Sequence, residues 1–336
     1  MKTLALFNNK GGVGRTSLAY HLGFMFAELG QRVLFADLDP QANLSSLCAT
    51  QDRLEAIWNL KPPSTIYGSI DRLRRGIGDI EQFAPEPVTS KIVLVPGDLQ
   101  LSEFEDDLSQ QWPMCLTGDE RAFRVTTSLY RVVADVGTRS GAEIAVLDVG
   151  PSFGAINRAA LIAADYVLVP VAPDLSSVRG LEDVGSRLKM WRTQWADRLK
   201  QAPELDFGVP PGNMTSIGYV VSRHPVLAGG AVQAFQRWID RMPAAYRRSF
   251  DEREVEDLDV DSDEFCLGQL KDYRSLMPMA QEAKKPMFLL KPADGAIGGH
   301  QGAVRQAYGD FKDLAEKIVE AMGGLDLGND AAIRDQ

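Results

Sequence analysis

Short apolar runs alternate with amphipathic stretches along most of the chain, which is the pattern of strands and helices in α/β proteins. The predicted strands cover residues 3–7, 32–37, 91–95, 143–148, 166–172, 216–221 and 266–270. The predicted helices cover residues 16–29, 120–138, 180–200 and 303–322, with a short one beginning at 274. We therefore expect an α/β fold, a mainly parallel twisted sheet flanked by helices on both faces.

Two parts of the chain break this pattern. Residues 50–90 are weakly periodic and rich in proline, and residues 225–265 include the acidic segment DEREVEDLDVDSDE at 251–264. We interpret both as insertions in a single domain over residues 1–325, and the acidic segment as an exposed loop. The remaining residues, 326–336, are expected to form a frayed tail.

Composition and charge exclude several classes of protein. With 336 residues, of which 45% are hydrophobic, the chain can bury a sizeable core. Its three cysteines form no C-x-x-C pair, which predicts neither a disulfide framework nor a zinc site. No apolar run approaches the roughly 18–20 residues that span a bilayer, so we expect a cytoplasmic protein with no membrane partner. The net charge of −10 repels phosphate, so any binding of nucleic acid would require a local basic patch on the protein.

A glycine-rich turn, FNNKGGVGRTS, joins the first strand to the first helix. Its glycines let the backbone wrap a phosphate, and the helix start directs free N–H groups at the same point. Thr16 follows at the position where a hydroxyl reaches Mg²⁺. The residues expected to bind nucleotide here are Gly11, Gly12, Val13, Gly14, Arg15, Thr16 and Ser17.

Carboxylates follow two further strands. Asp37 and Asp39 lie in DLDPQAN, at the carboxyl end of the second predicted strand, and Asp148 ends the apolar run IAVLD. The carboxyl ends of the strands are where open α/β sheets bind their ligands. Buried acids are costly without a cation, and a Mg²⁺–phosphate complex would supply one. Either Asp37 or Asp39 alone is equally compatible with a helix cap or a solvated turn.

These motifs resemble the ParA/MinD family of deviant Walker ATPases, whose loop reads KGG-x-G-K-[ST] and whose second motif reads D-x-D-P-Q. The resemblance implies a P-loop NTPase fold and a cycle of ATP binding and hydrolysis to ADP with Mg²⁺. It also implies that Lys10 reaches the partner's phosphates in an ATP-bound homodimer. Asp39 would act on the attacking water, while Thr16, Asp37 and Asp148 would support Mg²⁺.

The resemblance continues towards the carboxyl end and covers most of the chain outside the two insertions. It places Asn157 and Pro170 among the nucleotide-binding residues. Two departures stand out: DVGP replaces D-C-P-P after the third carboxylate strand, and a late turn keeps Lys285 and Pro286 but lacks the family's glycine.

The third departure is Arg15, which stands where the family has lysine. Arginine keeps the positive charge but is longer, planar and forked. We therefore expect ATP binding to persist and hydrolysis to be slowed. The residue is compatible with a slow natural ATPase, a natural switch that barely hydrolyses ATP, or an introduced substitution that traps the ATP state.

The partitioning (ParA) branch fits best, because the chain shows no basic amphipathic end for a membrane and no paired cysteines. The resemblance then implies non-specific DNA binding and a centromere-binding or cargo adaptor protein that stimulates hydrolysis. A nucleotide-gated interaction switch without DNA binding is the alternative, with the insertions docking a protein. The candidate DNA-binding residues are Arg223, Arg247, Arg248, Lys271, Arg274, Lys284 and Lys285.

Overall fold

Eight strands form one sheet within the part of the chain that this computed structural model describes, residues 1–224, 230–251, 258–273 and 275–324. The strands are β1 (Lys2–Leu6), β2 (Val33–Asp37), β3 (Glu86–Pro87), β4 (Ile92–Val95), β5 (Ile144–Asp148), β6 (Tyr166–Val171), β7 (Thr215–His224) and β8 (Cys266–Lys271). Their order in the sheet is β3-β4-β2-β5-β1-β6-β7-β8, and all neighbours are parallel except the antiparallel pair β3–β4. The mainly parallel sheet is confirmed.

Helices cover both faces of this sheet. In the first half they are α1 (Arg15–Glu28), α2 (Asn43–Cys48), α3 (Gln51–Trp58), α4 (Ile66–Arg74), α5 (Phe104–Met114), α6 (Glu120–Thr126) and α7 (Ser128–Ser140). In the second half they are α8 (Ala155–Ile162), α9 (Leu175–Leu199), α10 (Gly230–Ile239), α11 (Met242–Tyr246), α12 (Leu276–Ala283) and α13 (Gly299–Ala321). Short 3₁₀ and π turns connect several of them.

Strand β2 shows how the sheet separates two cores. Leu34 and Ala36 belong to the core beneath α4, α5 and α7 to α9, while Val33 and Phe35 belong to the core beneath α1, α12 and α13. Successive side chains of a strand point to opposite faces, so a run that is apolar throughout supplies both cores. Burying one such side chain contributes about 1.5–3 kcal/mol.

Two sequence-based expectations differ from the structure. The predicted helix over 120–138 is interrupted between α6 and α7, where the Thr127 and Ser128 hydroxyls donate to the carbonyls of Phe123 and Val125. Such bonds compete with a regular helix. The weakly periodic stretch 50–90 contains two helices, and α4 buries an apolar face in the core.

Parts of the predicted acidic loop and of the later insertion, 252–257 and 225–229, lie outside the described residues, as does the tail 326–336. The described remainder of the later insertion carries α10 and α11, and α11 packs against α9. The domain boundaries stay predictions.

The register of the central strands places the candidate site. Leu6, at the end of β1, pairs with Asp148 of β5, and Asp148 pairs with Asp37 of β2. Three strands therefore end together at one edge of the sheet. In open α/β sheets this is the edge where ligands bind.

Candidate functional site

The turn between β1 and α1 forms an open cradle. Gly12 and Gly14 have φ of 77° and 85°, a left-handed conformation that glycine adopts without strain. A Cβ atom built on Gly11, Gly12 or Gly14 would meet nothing within 4 Å, so the space in front of the loop is free. Val13 is buried behind it. Because α1 begins at Arg15, its first N–H groups face this space and favour an anion there.

Asn8 holds the start of the loop in place. Its side-chain amide donates to the Pro170 carbonyl of β6 at 2.7 Å, and its Oδ1 accepts from the Lys10 N–H at 3.0 Å. Gly180 of α9 packs so closely that an added Cβ would lie 3.2 Å from Asn8 Oδ1. Pro170 is thus an anchor of the loop through its backbone.

The Arg15 side chain is turned into its own loop. It is 8% exposed, and Nη1 donates to the carbonyls of Asn8 at 2.5 Å and Lys10 at 2.8 Å, while Nε has no partner. Burial lowers the pKa of the guanidinium, and the charges of Asp148 and Asp39 oppose that shift. Arginine remains protonated in proteins, so the cradle keeps a fixed positive charge at its centre.

Asp37 and Asp148 are both fully buried at the strand ends. Oδ2 of Asp37 accepts two hydrogen bonds from Ser45, whereas its Oδ1 and both carboxylate oxygens of Asp148 have no partner. Burial raises the pKa of Asp37 to about 7. Burial is the main cause that raises the pKa of Asp148 well above its ordinary value, and the charge of Asp37 adds to it. The nearby Thr16 hydroxyl opposes this shift, although it forms no hydrogen bond to either oxygen of Asp148.

These unpaired oxygens fit a magnesium ion. Buried polar atoms without partners are rare and call for an explanation such as an ion. Among the described residues, no three His, Cys, Asp or Glu side chains are arranged to hold a metal by themselves. Mg²⁺ commonly keeps several waters and completes its shell with substrate phosphates. Thr16, Asp37 and Asp148 therefore suit a cation that arrives with a nucleotide.

Asp39 lies at the entrance of the site and is 6% exposed. Its Oδ1 accepts from the Gln41 N–H at 3.0 Å, and it lies beside Gly150, the second residue after Asp148. Asn157 of α8 donates to the Gly150 carbonyl at 2.9 Å. The structure thus uses Asn157 to brace the loop after β5, a role that the sequence did not predict.

Glu105 also acts on this loop and was missed from the sequence. The carboxylate, on α5, accepts from the N–H groups of Ala155 at 2.5 Å and Ile156 at 2.9 Å. It therefore caps α8 from another helix. Its only sequence signal is an acid within LSEFEDDL, which does not reveal a partner 50 residues away.

Comparison with known proteins identifies the family. A family model described as "AAA domain" matches residues 1–201, more than half of the chain. The chain is 28% identical over 203 residues to the chromosome partitioning protein ParA from Caulobacter vibrioides, covering 60% of this chain and 67% of that one. The chain belongs to the ParA/MinD family of ATPases.

Other relatives agree with this assignment. Protein IncC from Escherichia coli is 29% identical over 226 residues, which is 67% of this chain and 54% of IncC. This ParA/MinD chain spans about half the length of IncC and of two putative replication proteins A that it also matches.

Solved structures share the fold. Protein DIP2308 from Corynebacterium diphtheriae has a TM-score of 0.71 at 23% identity, covering 96% of this chain and 99% of its own. McdA from Cyanothece, in complex with ATP, has a TM-score of 0.63 at 17% identity, covering 97% of both chains.

A cavity of about 350 Å³ lies next to the phosphate loop of this ParA/MinD protein. It reaches from Gly14 and Ser17 to the ends of β7 and β8, where Ser222 and Tyr273 line it, and to Met277 of α12. This volume is in the range of small-molecule sites. Neither Asn157 nor Pro170 lines this cavity, and their place among the nucleotide-binding residues stays a prediction.

Lys10, at the start of the phosphate loop, is held by residues of its own chain. Its ammonium contacts the Asp174 carboxylate and lies 3.5 Å from the Ser177 hydroxyl, at the start of α9. Asp174 also caps α9 by accepting from the Ser177 N–H.

The predicted DNA-binding residues whose side chains the structure describes all contact an acid or a backbone carbonyl in the single chain. The structure corrects the prediction for Arg247. This side chain is buried and paired with Asp263 at 2.9 Å, so it does not lie on the surface that DNA contact requires. The side chain of Arg223 and the whole of Arg274 lie outside the described residues.

The other candidates are exposed or half-buried, and each has a partner. The contacts are Arg248 with Glu182 at 3.0 Å, Lys271 with Asp310 at 3.8 Å, Lys285 with Asp294 at 2.7 Å, and Lys284 with the Ser46 carbonyl at 2.5 Å. Lys284 occupies the position of the family's glycine and has φ of 51°, the conformation that glycine would adopt there without strain.

None of the helices in the described part of the chain is both long enough and apolar enough to cross a bilayer.

Proposed function

We propose that this protein is a ParA-type ATPase that binds ATP with Mg²⁺, dimerises around the nucleotide and positions a DNA or other cargo. One observation carries the proposal: the open loop Gly11–Thr16 meets Asp37, Asp39 and Asp148 at one edge of the sheet, with three carboxylate oxygens unpaired. The names of ParA and of other partitioning relatives support the same reading.

The chemistry follows from the positions of these groups. The loop N–H groups would hold the phosphates, and the adjacent cavity would take the base. Thr16, Asp37 and Asp148 would hold Mg²⁺, which when bound neutralises developing charge on the phosphates. Asp39, at the entrance, would orient the attacking water. Arg15 supplies charge, but it lacks the compact ammonium geometry of lysine, and we propose that hydrolysis is slow.

Dimerisation would place Lys10 against the nucleotide of a second subunit. That step requires Lys10 to leave Asp174, whose carboxylate it contacts in the single chain. A charge pair this exposed is weak, about 0–1 kcal/mol, so nucleotide phosphates can replace it.

DNA is the proposed partner of the ATP-bound dimer in the cytoplasm, where the protein would associate with the nucleoid. A centromere-binding or cargo adaptor protein would then stimulate hydrolysis and release. A nucleotide-gated protein switch without DNA binding is the second candidate. It is favoured by the ion pairs that occupy Arg247, Arg248 and Lys285.

Anisotropy of a labelled duplex of arbitrary sequence, with ATP or ADP, tests DNA binding. The partitioning function predicts binding that needs ATP and weakens more than about tenfold between about 50 and 200 mM salt. Arg248→Glu should weaken it further, because this residue belongs to the predicted basic region.

Arg72→Glu is the matched control. Arg72 is also ion-paired, with Glu81, and its side chain is 50% exposed against 51% for Arg248, but it lies on α4. An absence of binding at low salt with ATP would exclude the DNA-binding function. Retained nucleotide binding would then support the protein switch.

A further inference from the structure

The two oxygens of Asp37 have different surroundings. Oδ2 accepts from the backbone N–H and from the hydroxyl of Ser45, both at 2.7 Å. Oδ1 is buried and has no partner. Because Asp37 lies beside Asp148 in the sheet, the free oxygen belongs to the same unsatisfied group as the two oxygens of Asp148.

Ser45 connects this carboxylate to a third strand. Its hydroxyl oxygen accepts from the Gly97 N–H at 2.8 Å, just after β4. A Cβ on Gly97 would lie 2.8 Å from Cγ of Asp37, so only glycine leaves room for the carboxylate at this place. Ser45 and Gly97 together close the side of Asp37 that faces away from its free oxygen.

This arrangement limits how Asp37 can act. The Ser45 hydroxyl has its proton on Asp37 and its lone pair on Gly97, so it cannot rotate without losing a buried hydrogen bond. With Oδ2 saturated and its neighbours close-packed, the carboxylate presents one defined oxygen to the cation. Groups that orient metal-binding carboxylates in this way typically contribute about 10–100-fold to metal affinity.

We propose that Ser45 is a positioning residue of the magnesium site, holding Asp37 so that Oδ1 faces the cation and its waters. The proposal rests on the proposed nucleotide function. A purely structural role is the competing explanation, because the Ser45 hydroxyl also joins α2 to the turn after β4 through Gly97. Such a role would change the free energy of unfolding but not the dependence of nucleotide binding on Mg²⁺.

A fluorescent ADP analogue titrated with Mg²⁺ distinguishes the two roles. In Ser45→Ala, the Mg²⁺ concentration at half-saturation should rise about tenfold or more. The affinity for the analogue in EDTA should stay within about twofold, because the phosphate loop is untouched. Ser45→Thr, which keeps the hydroxyl, should restore the wild-type Mg²⁺ dependence.

Ser46→Ala is the matched control, since Ser46 is the next residue of α2 and its hydroxyl donates only to the Ala42 carbonyl. Gly97→Ala would place a Cβ 2.8 Å from Cγ of Asp37 and should reproduce the Mg²⁺ shift by displacing the carboxylate, if Ser45→Ala does not fold. An unchanged Mg²⁺ dependence in folded Ser45→Ala or Gly97→Ala overturns the positioning role alone. A wild-type protein that binds no ADP analogue overturns the proposed function as well.

Discussion

Arg15 is the residue on which turnover depends most. Its guanidinium is anchored by two backbone carbonyls of the loop, so its planar fork is held in place by the loop itself. Lysine has a single rotatable ammonium and can follow the charge that develops during phosphoryl transfer.

We predict that Arg15→Lys raises the ATP hydrolysis rate by about tenfold or more, as expected for a regained transition-state contact. The nucleotide dissociation constant should change by less than about threefold, because the charge is kept. Phosphate release and analogue binding measure the two quantities. An equal or lower rate would show that arginine belongs to the native mechanism.

Asp37 makes the ligand-free protein sensitive to pH. Burial raises its pKa to about 7, above the ordinary value of 3.8, so the folded state binds a proton that the unfolded state releases between these two values. Stability from this group is therefore present at low pH and is lost as the pH rises from about 4 to about 7.

Asp37→Asn removes the charge and keeps an oxygen that accepts from Ser45. We predict that this variant and the wild type have similar free energies of unfolding near pH 4. At pH 8, without nucleotide and Mg²⁺, the variant should be more stable by a few kcal/mol. Urea unfolding at both pH values measures this, and a difference that is independent of pH contradicts the buried charge.

At the scale of elements, the start of α8 depends on another helix. Gly154 precedes α8 and has no side chain to cap it, and Glu105 of α5 supplies the acceptor for two of its first N–H groups. Because Asn157 of α8 holds the loop after Asp148, the cap also fixes the wall of the nucleotide site.

We predict that Glu105→Gln lowers the free energy of unfolding by about 1–3 kcal/mol, because a charged acceptor is replaced by an amide. Amide exchange of Ala155 and Ile156 should accelerate in the same variant. Asp106→Asn, on the exposed face of the same helix, should stay within about 0.5 kcal/mol of the wild type. Equal effects of both changes would show that the cap is not specific.

At the scale of the whole molecule, the net charge of −10 places DNA binding in question. Of the predicted DNA-binding cations that the structure describes, Arg248, Lys271 and Lys285 are paired with acids in the single chain, so their charges are largely compensated. Each phosphate contact that does form contributes about 0.9 to the slope of log affinity against log salt. The measured slope of log affinity against log salt therefore gives the number of cations that leave their acidic partners and contact DNA phosphates.

The main features of the fold were predictable from short apolar runs, because the strands are local and buried on both faces. Helix ends were less so: Thr127 and Ser128 interrupt a stretch that looks continuously helical, since their hydroxyls bond to the backbone. The helices within 50–90 were missed, because proline and weak periodicity hide the small apolar face of α4.

The sequence by itself determined the phosphate loop and the three aspartates, because each is part of a contiguous motif at the end of a strand. Only the tertiary structure decided which groups hold them. Gly97 reaches Ser45 across 52 residues beside Asp37, Glu105 caps α8 from another helix, and Arg247 pairs with Asp263. These contacts depend on how separate elements pack, and spacing along a chain does not encode which side chains then lie within hydrogen-bond distance.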